Sequence, residues 1–414
     1  MTNSREMVFI AGILALSFFL RFWGVGGAYL YIADEAELIP ASGNYLASGN
    51  FSPDSWEHPP LKYFLLSAGI KTFGNNAYGW RMKNVLLGSL TVLVLYLFCR
   101  EVLNDRRIAV TAALLLAFDP AHVLFSRTVY GEIPSILFLL LAVYITVLYL
   151  NGKISSPFMA GICLGLALAS KWYYLTVVPV LFATALIHSA RNRLLSWQRV
   201  LHLFSVYALL PAAVYLVPFY PWFGRGYSLP EFAQMQLDAY IKLQNQPLAI
   251  FTNPFFRTTP SSPWEWFVKP LITGVEVFRR GAWSIFFIFM SNPPFWLLTI
   301  PAALYASYRA WKERDWRMAF VVLLFLSLYF QFVLVARPLF LYSAVVLLPF
   351  AYLLVAYFLT SIPNTLFRSA TWPYRALLTC ICLWGFYLYP LVTNKNIPVV
   401  LYKPLFLLGT VYLQ

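Results

Sequence analysis

The sequence predicts an all-α polytopic membrane protein: one bundle of about eleven transmembrane helices, at roughly 20 apolar residues each, with two long polar segments outside the membrane. Composition is the first reason. Of 414 residues, 60% are hydrophobic and only 11% charged, against about 25% charged in a soluble domain. Mean hydropathy is +0.68. The second reason is where the charge lies. Lysines and arginines sit between apolar runs, as membrane orientation signals do. The net charge of +14 therefore does not point to nucleic acid, because no basic run is long enough to follow a phosphate backbone.

The chain opens with Arg5 and an apolar run from Val8 to Leu20, then Arg21-Phe22-Trp23 where a signal peptide would carry small residues. This predicts an uncleaved first helix. Further spans are expected near 84–99, 108–125, 133–150, 156–170, 172–188, 200–220, 283–308, 318–335, 338–359 and 376–392. With the N-terminus in the cytoplasm, the inside loops carry Arg100, Arg106 and Arg107; Lys153; Arg191, Arg193 and Arg199; Arg309, Lys312, Arg314 and Arg317; and Arg368 and Arg375. That alternation places the segments 24–83 and 221–282 outside. The active face is then periplasmic or exterior, and the cell membrane is the expected location. Residues 1–414 are expected to form a single integral-membrane domain with no soluble extra domain. Cys99, Cys163, Cys380 and Cys382 fall in apolar runs, with neither disulfide nor metal-ligand spacing.

Within 221–282, Ser228-Leu229-Pro230-Glu231 reads as a capped helix start, and Phe232, Met235, Ala239 and Tyr240 mark one apolar face. Ser262-Pro263-Trp264-Glu265-Trp266 reads as an aromatic loop returning to the membrane interface. Gly161 and Gly165, four residues apart in the fifth span, permit close helix packing.

The polar stretch from Ala33 to Lys62 holds most of the candidate chemistry. Asp34, Glu35, Glu37, Asp54 and Glu57 lie in it, and carboxylates beside a bilayer are costly to place. Asp34 fits a helix cap with Glu37 in the third helical position. It equally fits a general base that takes a proton from a hydroxyl. Glu35, about 100° further round the helix, is placed to hold a substrate instead. His58 stands before Pro59-Pro60, either in a turn or as a metal ligand. Arg127 with Glu132 after it, Lys171 and Arg337 all fall at external span ends. They suit snorkelling anchors, and equally a clamp on phosphate, for which the guanidinium fork is shaped.

Taken together, these motifs resemble the protein O-mannosyltransferases. The resemblance rests on Asp34-Glu35, His58-Pro59-Pro60-Leu61, Gly79-Trp80-Arg81, Ser126-Arg127 followed by an acid, Gly165 through Ser170-Lys171-Trp172, Ser262 through Trp266, Ser291-Asn292-Pro293-Pro294-Phe295-Trp296, and Arg337-Pro338-Leu339-Phe340-Leu341-Tyr342. It implies a GT-C glycosyltransferase fold and an inverting transfer of a sugar, mannose by family habit, from a polyprenyl-phosphate donor. The acceptor it implies is a hydroxyl, Ser or Thr of a protein. By the same resemblance Asp34 is the proposed base, Glu35 helps bind acceptor and Arg127 meets the donor phosphate; Lys171 and Arg337 are further phosphate-ligand candidates from their position at external span ends. His58, Glu132, Trp264 and Glu265 are the remaining site candidates. No cofactor is expected, a divalent metal at His58 being the alternative. The sequence departs from the family in having Ser343 where a His is usual, Glu132 where an Asp is common, and no Gly after His-Pro-Pro-Leu. Two other functions remain open: a transferase to lipid or glycan of the aminoarabinose-transferase type, and a multi-span transporter.

Overall fold

The computed structural model describes residues 4–27, 31–32, 34–51, 56, 58–245, 260–268, 273–280, 283–289, 292–366, 372–393, 397–398 and 400–402. Asp54, Glu57, Ser291, Arg368 and residues 246–259 of the second polar segment lie outside them.

A helix corresponds to each expected span but one, 283–308, which is helical only in part. Among the described residues, eight helices are long and apolar enough to cross a membrane, and nine when one bent pair is counted as a span. The expected count of about eleven is reached only by adding two shorter helices, Phe158–Ser170 and Thr299–Glu313. The bent pair is Arg106–Ala117 with Pro120–Ser126, which meet at 61°. The bend has a local cause. Pro120 has no N–H to continue the ladder, and the Asp119 side chain caps the new helix by accepting from His122 N at 2.7 Å.

The expected span 283–308 needs correction. Residues Trp283–Phe289 form a strand, antiparallel to Thr273–Arg280 on one side and to Ile397–Pro398 on the other. Helix resumes only at Pro293–Trp296 and then Thr299–Glu313. The run Trp-Ser-Ile-Phe-Phe-Ile-Phe is as apolar as a span, but it is short and rich in aromatic and β-branched residues. The pair Pro293-Pro294 cuts it off from the helix beyond.

Leu341–Ser361 and Glu132–Leu150 are the most enclosed spans, while Ser4–Phe22, 197–224 and 372–392 lie at the rim. Gly161 and Gly165 let the helix Phe158–Ser170 press against the span beginning at Trp197. A Cβ on Gly161 would come within 2.2 Å of Val206 O, and one on Gly165 within 2.5 Å of Val214 Cβ. The two polar segments meet at one end of the bundle. Helices Glu35–Ser48 and Leu61–Phe73 of the first pack on Leu229–Gln244 of the second through Phe51, Trp56, Tyr63, Phe219 and Phe232. Arg225 adds hydrogen bonds to Asn50 Oδ1 and Phe51 O. The expected capping box at Ser228 and Glu231 is present.

Candidate active site

Asp34 precedes the helix Glu35–Ser48, and its side chain makes no capping hydrogen bond. The cap expected from the Asp-x-x-Glu pattern is therefore absent. The neighbouring glutamate secures the turn instead: Glu35 Oε2 accepts from Ile32 N at 3.0 Å. Glu35 is 1% exposed and holds Arg81 in a fork, Nε to Oε1 at 2.9 Å and Nη2 to Oε2 at 2.6 Å. The role expected for Glu35, holding an acceptor, does not fit a carboxylate buried in an ion pair. Arg81 comes from the Gly-Trp-Arg motif, so two motifs of the sequence turn out to be partners.

Asp34 is left pointing at a cluster of charge. Its side chain reaches solvent, yet protein surrounds it densely. Desolvation pushes its carboxyl above the usual range. Glu132 and Glu37 push the same way, against the pull of Lys171 and Lys62. Lys171, the residue after the helix Phe158–Ser170, pairs with Glu132 at 2.9 Å. Burial acts to lower Lys171, but Glu132, Tyr173 and Asp34 more than reverse it and hold the ammonium above its ordinary value. His58 is held well below its ordinary value by burial and then by Lys62, Lys171 and Arg337, so it faces three cations as a neutral imidazole.

Lys62 belongs to this cluster, and the sequence reading passed over it as a site residue. It is 5% exposed and sits in the first turn of Leu61–Phe73. A cation there opposes the helix dipole. Burial and Lys171 lower its ammonium to about 8, against Asp34, Glu37 and Glu132. Its recorded contact is with the Tyr63 ring, 4.9 Å from Nζ. A lysine directly after His-Pro-Pro, in an unfavourable helix position, was the signal available. Tyr130 was missed too. Its phenol is kept protonated by burial and by Asp34 and Glu132. Asn84 holds the loop that carries it, donating to Thr128 O at 2.6 Å and Tyr130 O at 2.8 Å.

The structure gives Arg127 a different employment from the phosphate clamp expected of it. It is 5% exposed, and its Nη1 donates to Arg21 O at 2.8 Å and Trp23 O at 2.7 Å. Those carbonyls belong to the end of the first helix, Ser4–Phe22, where backbone oxygens lack helical partners. Arg337 acts on His58 and so stands with the cluster. Glu265 caps its own turn, accepting from Ser262 N at 2.8 Å. Trp264 is exposed. The loop carrying both residues is tied to the Arg337 motif by Ser261 N to Leu339 O, and to the Asn-Pro-Pro motif by Trp296 Nε1 to Trp266 O. Among the described residues, no three His, Cys, Asp or Glu side chains gather as a metal site.

A family model described as dolichyl-phosphate-mannose-protein mannosyltransferase matches residues 20–225, which hold Asp34, His58, Lys62, Glu132 and Lys171. The chain is similar to the polyprenol-phosphate-mannose–protein mannosyltransferase of Mycolicibacterium smegmatis, 24% identical over 449 aligned positions covering 93% of this chain and 86% of the relative. In structure it is similar to the S. cerevisiae protein O-mannosyltransferase Pmt1-Pmt2 complex bound to the sugar donor, with a TM-score of 0.77 at 13% identity, covering 98% of this chain and 92% of that one. It also resembles ArnT from Cupriavidus metallidurans bound to undecaprenyl phosphate, with a TM-score of 0.55 at 14% identity, covering 98% and 76%. The structural likenesses establish the fold, and the family match adds to it the motifs at the charged cluster. Over residues 20–225 the chain matches the dolichyl-phosphate-mannose-protein mannosyltransferase family, and it is protein O-mannosyltransferase-like on the GT-C glycosyltransferase fold.

Proposed function

We propose that the chain moves mannose from a polyprenyl-phosphate donor to a hydroxyl of a protein, in a single inverting displacement on the non-cytoplasmic membrane face. One observation carries this reading. Asp34, uncapped and reached by solvent, stands within electrostatic reach of the lysines Lys62 and Lys171. A base and a phosphate site lie together there. In the reaction the acceptor oxygen bonds to the anomeric carbon as its proton passes to the Asp34 carboxylate. The bond from that carbon to the phosphate oxygen breaks, and its electron pair leaves on the phosphate. The sugar passes through an oxocarbenium-like state. Charge grows on the phosphate as the bond breaks, so fixed cations there favour the transition state over the bound donor. Lys62 and Lys171 fill that role, and Arg337, which acts electrostatically on His58, adds to it. Phosphate is a competent leaving group without a metal, so turnover is expected to survive chelator.

The basic short loops support the orientation, and the meeting of both polar segments at one end of the bundle is in keeping with it. Transport needs charge along a path through the bundle. The cluster described here stands at one end of it.

The test is transfer by purified protein from polyprenyl-phosphate mannose to a Ser/Thr peptide, read by mass spectrometry. Asp34→Asn should melt as the wild type does, since no cap is lost, and transfer about 10²–10⁴-fold more slowly. Wild-type transfer by Asp34→Asn would end the assignment of the base. Sugar found on lipid or glycan while the peptide stays bare would favour an acceptor of the aminoarabinose-transferase kind.

A further inference from the structure

At the far end of the bundle from Asp34, three helix ends enclose a cavity of about 620 Å³. The helix Val177–Arg191 starts just after Lys171 and runs away from it. At about 1.5 Å per residue, Arg191 therefore lies on the order of 20 Å beyond the catalytic end. The turn between Thr299–Glu313 and Trp316–Val333 closes the other side and brings in Arg314.

Arg191 and Arg314 both line the cavity, and neither guanidinium has a hydrogen-bond or ion-pair partner among the described residues. This is not the rule for arginines nearby. Arg309 pairs with Glu313 and Arg317 donates to Asn151. The carboxylate in the lining, Asp315, is occupied in capping the next helix, its Oδ1 accepting from Arg317 N and Met318 N. Of the other polar side chains in the lining, Asn192 bonds to His188 and Thr184 to Val180 O; the remaining walls are apolar. Ile187 is 54% and Leu323 47% exposed, so the cavity opens along an apolar face, with Trp311 and Trp316 at its rim. Two unpaired forks match a phosphate, and tryptophan favours the depth at which lipid head groups sit.

We propose that this cavity binds an anionic glycerophospholipid, its phosphate between Arg191 and Arg314 and one acyl chain along Ile187 and Leu323. Such a lipid would tie three helix ends together at the membrane face opposite the transfer site. The site is independent of the proposed reaction and stands or falls on binding alone.

The test uses native mass spectrometry of the full chain, delipidated and then given equal amounts of dioleoyl phosphatidylglycerol and dioleoyl phosphatidylcholine. Retention of one phosphatidylglycerol per chain, at least fivefold over phosphatidylcholine, is expected. The double variant Arg191→Gln with Arg314→Gln should fall to parity, whereas Arg193→Gln with Lys312→Gln, which removes equal charge outside the cavity, should keep the preference. Leu323→Trp leaves every charge in place and fills the acyl wall, so it should weaken retention without the risk to folding that the arginine changes carry. Parity in the wild type, or equal loss in both double variants, would overturn the proposal. So would displacement of the lipid by millimolar inorganic phosphate, which would mean a head-group anion site alone. Preference for undecaprenyl phosphate over phosphatidylglycerol would overturn the choice of lipid.

Discussion

At the scale of single residues, proton affinities set the expected pH behaviour. Asp34 is held above the ordinary carboxylate range, chiefly by desolvation, so the rising limb of kcat/KM should lie above that of a free carboxylate. Lys62 supplies the falling limb near its own value of about 8. Lys171, held high by Glu132, stays charged throughout that window. Lys62→Arg keeps its charge at every accessible pH and should carry activity past pH 8 at a lower maximum. An unchanged falling limb in that variant would assign the limb to another group. Stability should respond in the opposite sense. Folded Lys62 binds its proton more weakly than the unfolded chain does, so its contribution to stability improves between about pH 8 and the ordinary lysine value of 10.5, over the range where phosphate binding weakens.

At the scale of elements, the ion pair of Glu35 with Arg81 fastens the helix start behind Asp34 to the long helix Ala77–Leu103. Both side chains are almost wholly buried. Removing one partner leaves the other charge stranded, at a cost of about 3–5 kcal/mol. Glu35→Gln should therefore appear first as a lower melting temperature and poorer yield. A raised acceptor KM with normal melting would restore the substrate-binding role that the family resemblance implies. Arg127 acts between elements in the same way, on the carbonyls that end the first helix. Arg127→Ala should likewise cost stability, and any loss of turnover should scale with the loss of folded protein. The close approach at Gly165 gives a third case. Gly165→Leu cannot fit against Val214 and Pro211 without moving a helix, and should yield little folded protein.

At the scale of the whole molecule, the distribution of charge predicts which way the bundle faces. Basic loops on one side and carboxylates on the other predict that the helix Leu229–Gln244 lies outside the cytoplasm. Tyr240 is 53% exposed on that helix. Tyr240→Cys, in a chain freed of its four native cysteines, should react with a membrane-impermeant maleimide in intact cells. Labelling only after lysis would reverse the orientation, and with it the side on which transfer takes place.

The sequence alone determined what depends on composition and near neighbours. Apolar runs set the helices, basic loops set an expected orientation, and the order of short motifs pointed to the family. Ser228 and Glu231 were legible as a cap because a capping box spans only four residues. Tertiary structure decided everything that depends on partners far along the chain. Asp34 and Glu35 are adjacent and chemically alike, yet Arg81, 46 residues away, takes Glu35 and leaves Asp34 open. Arg127 looked like a phosphate ligand until the first helix, 106 residues back, presented its carbonyls. Residues 283–289 became a strand because Thr273–Arg280 and Ile397–Pro398 are there to pair with them. A charged side chain at a membrane boundary takes whichever partner lowers its desolvation cost most, and that partner is named only by the fold.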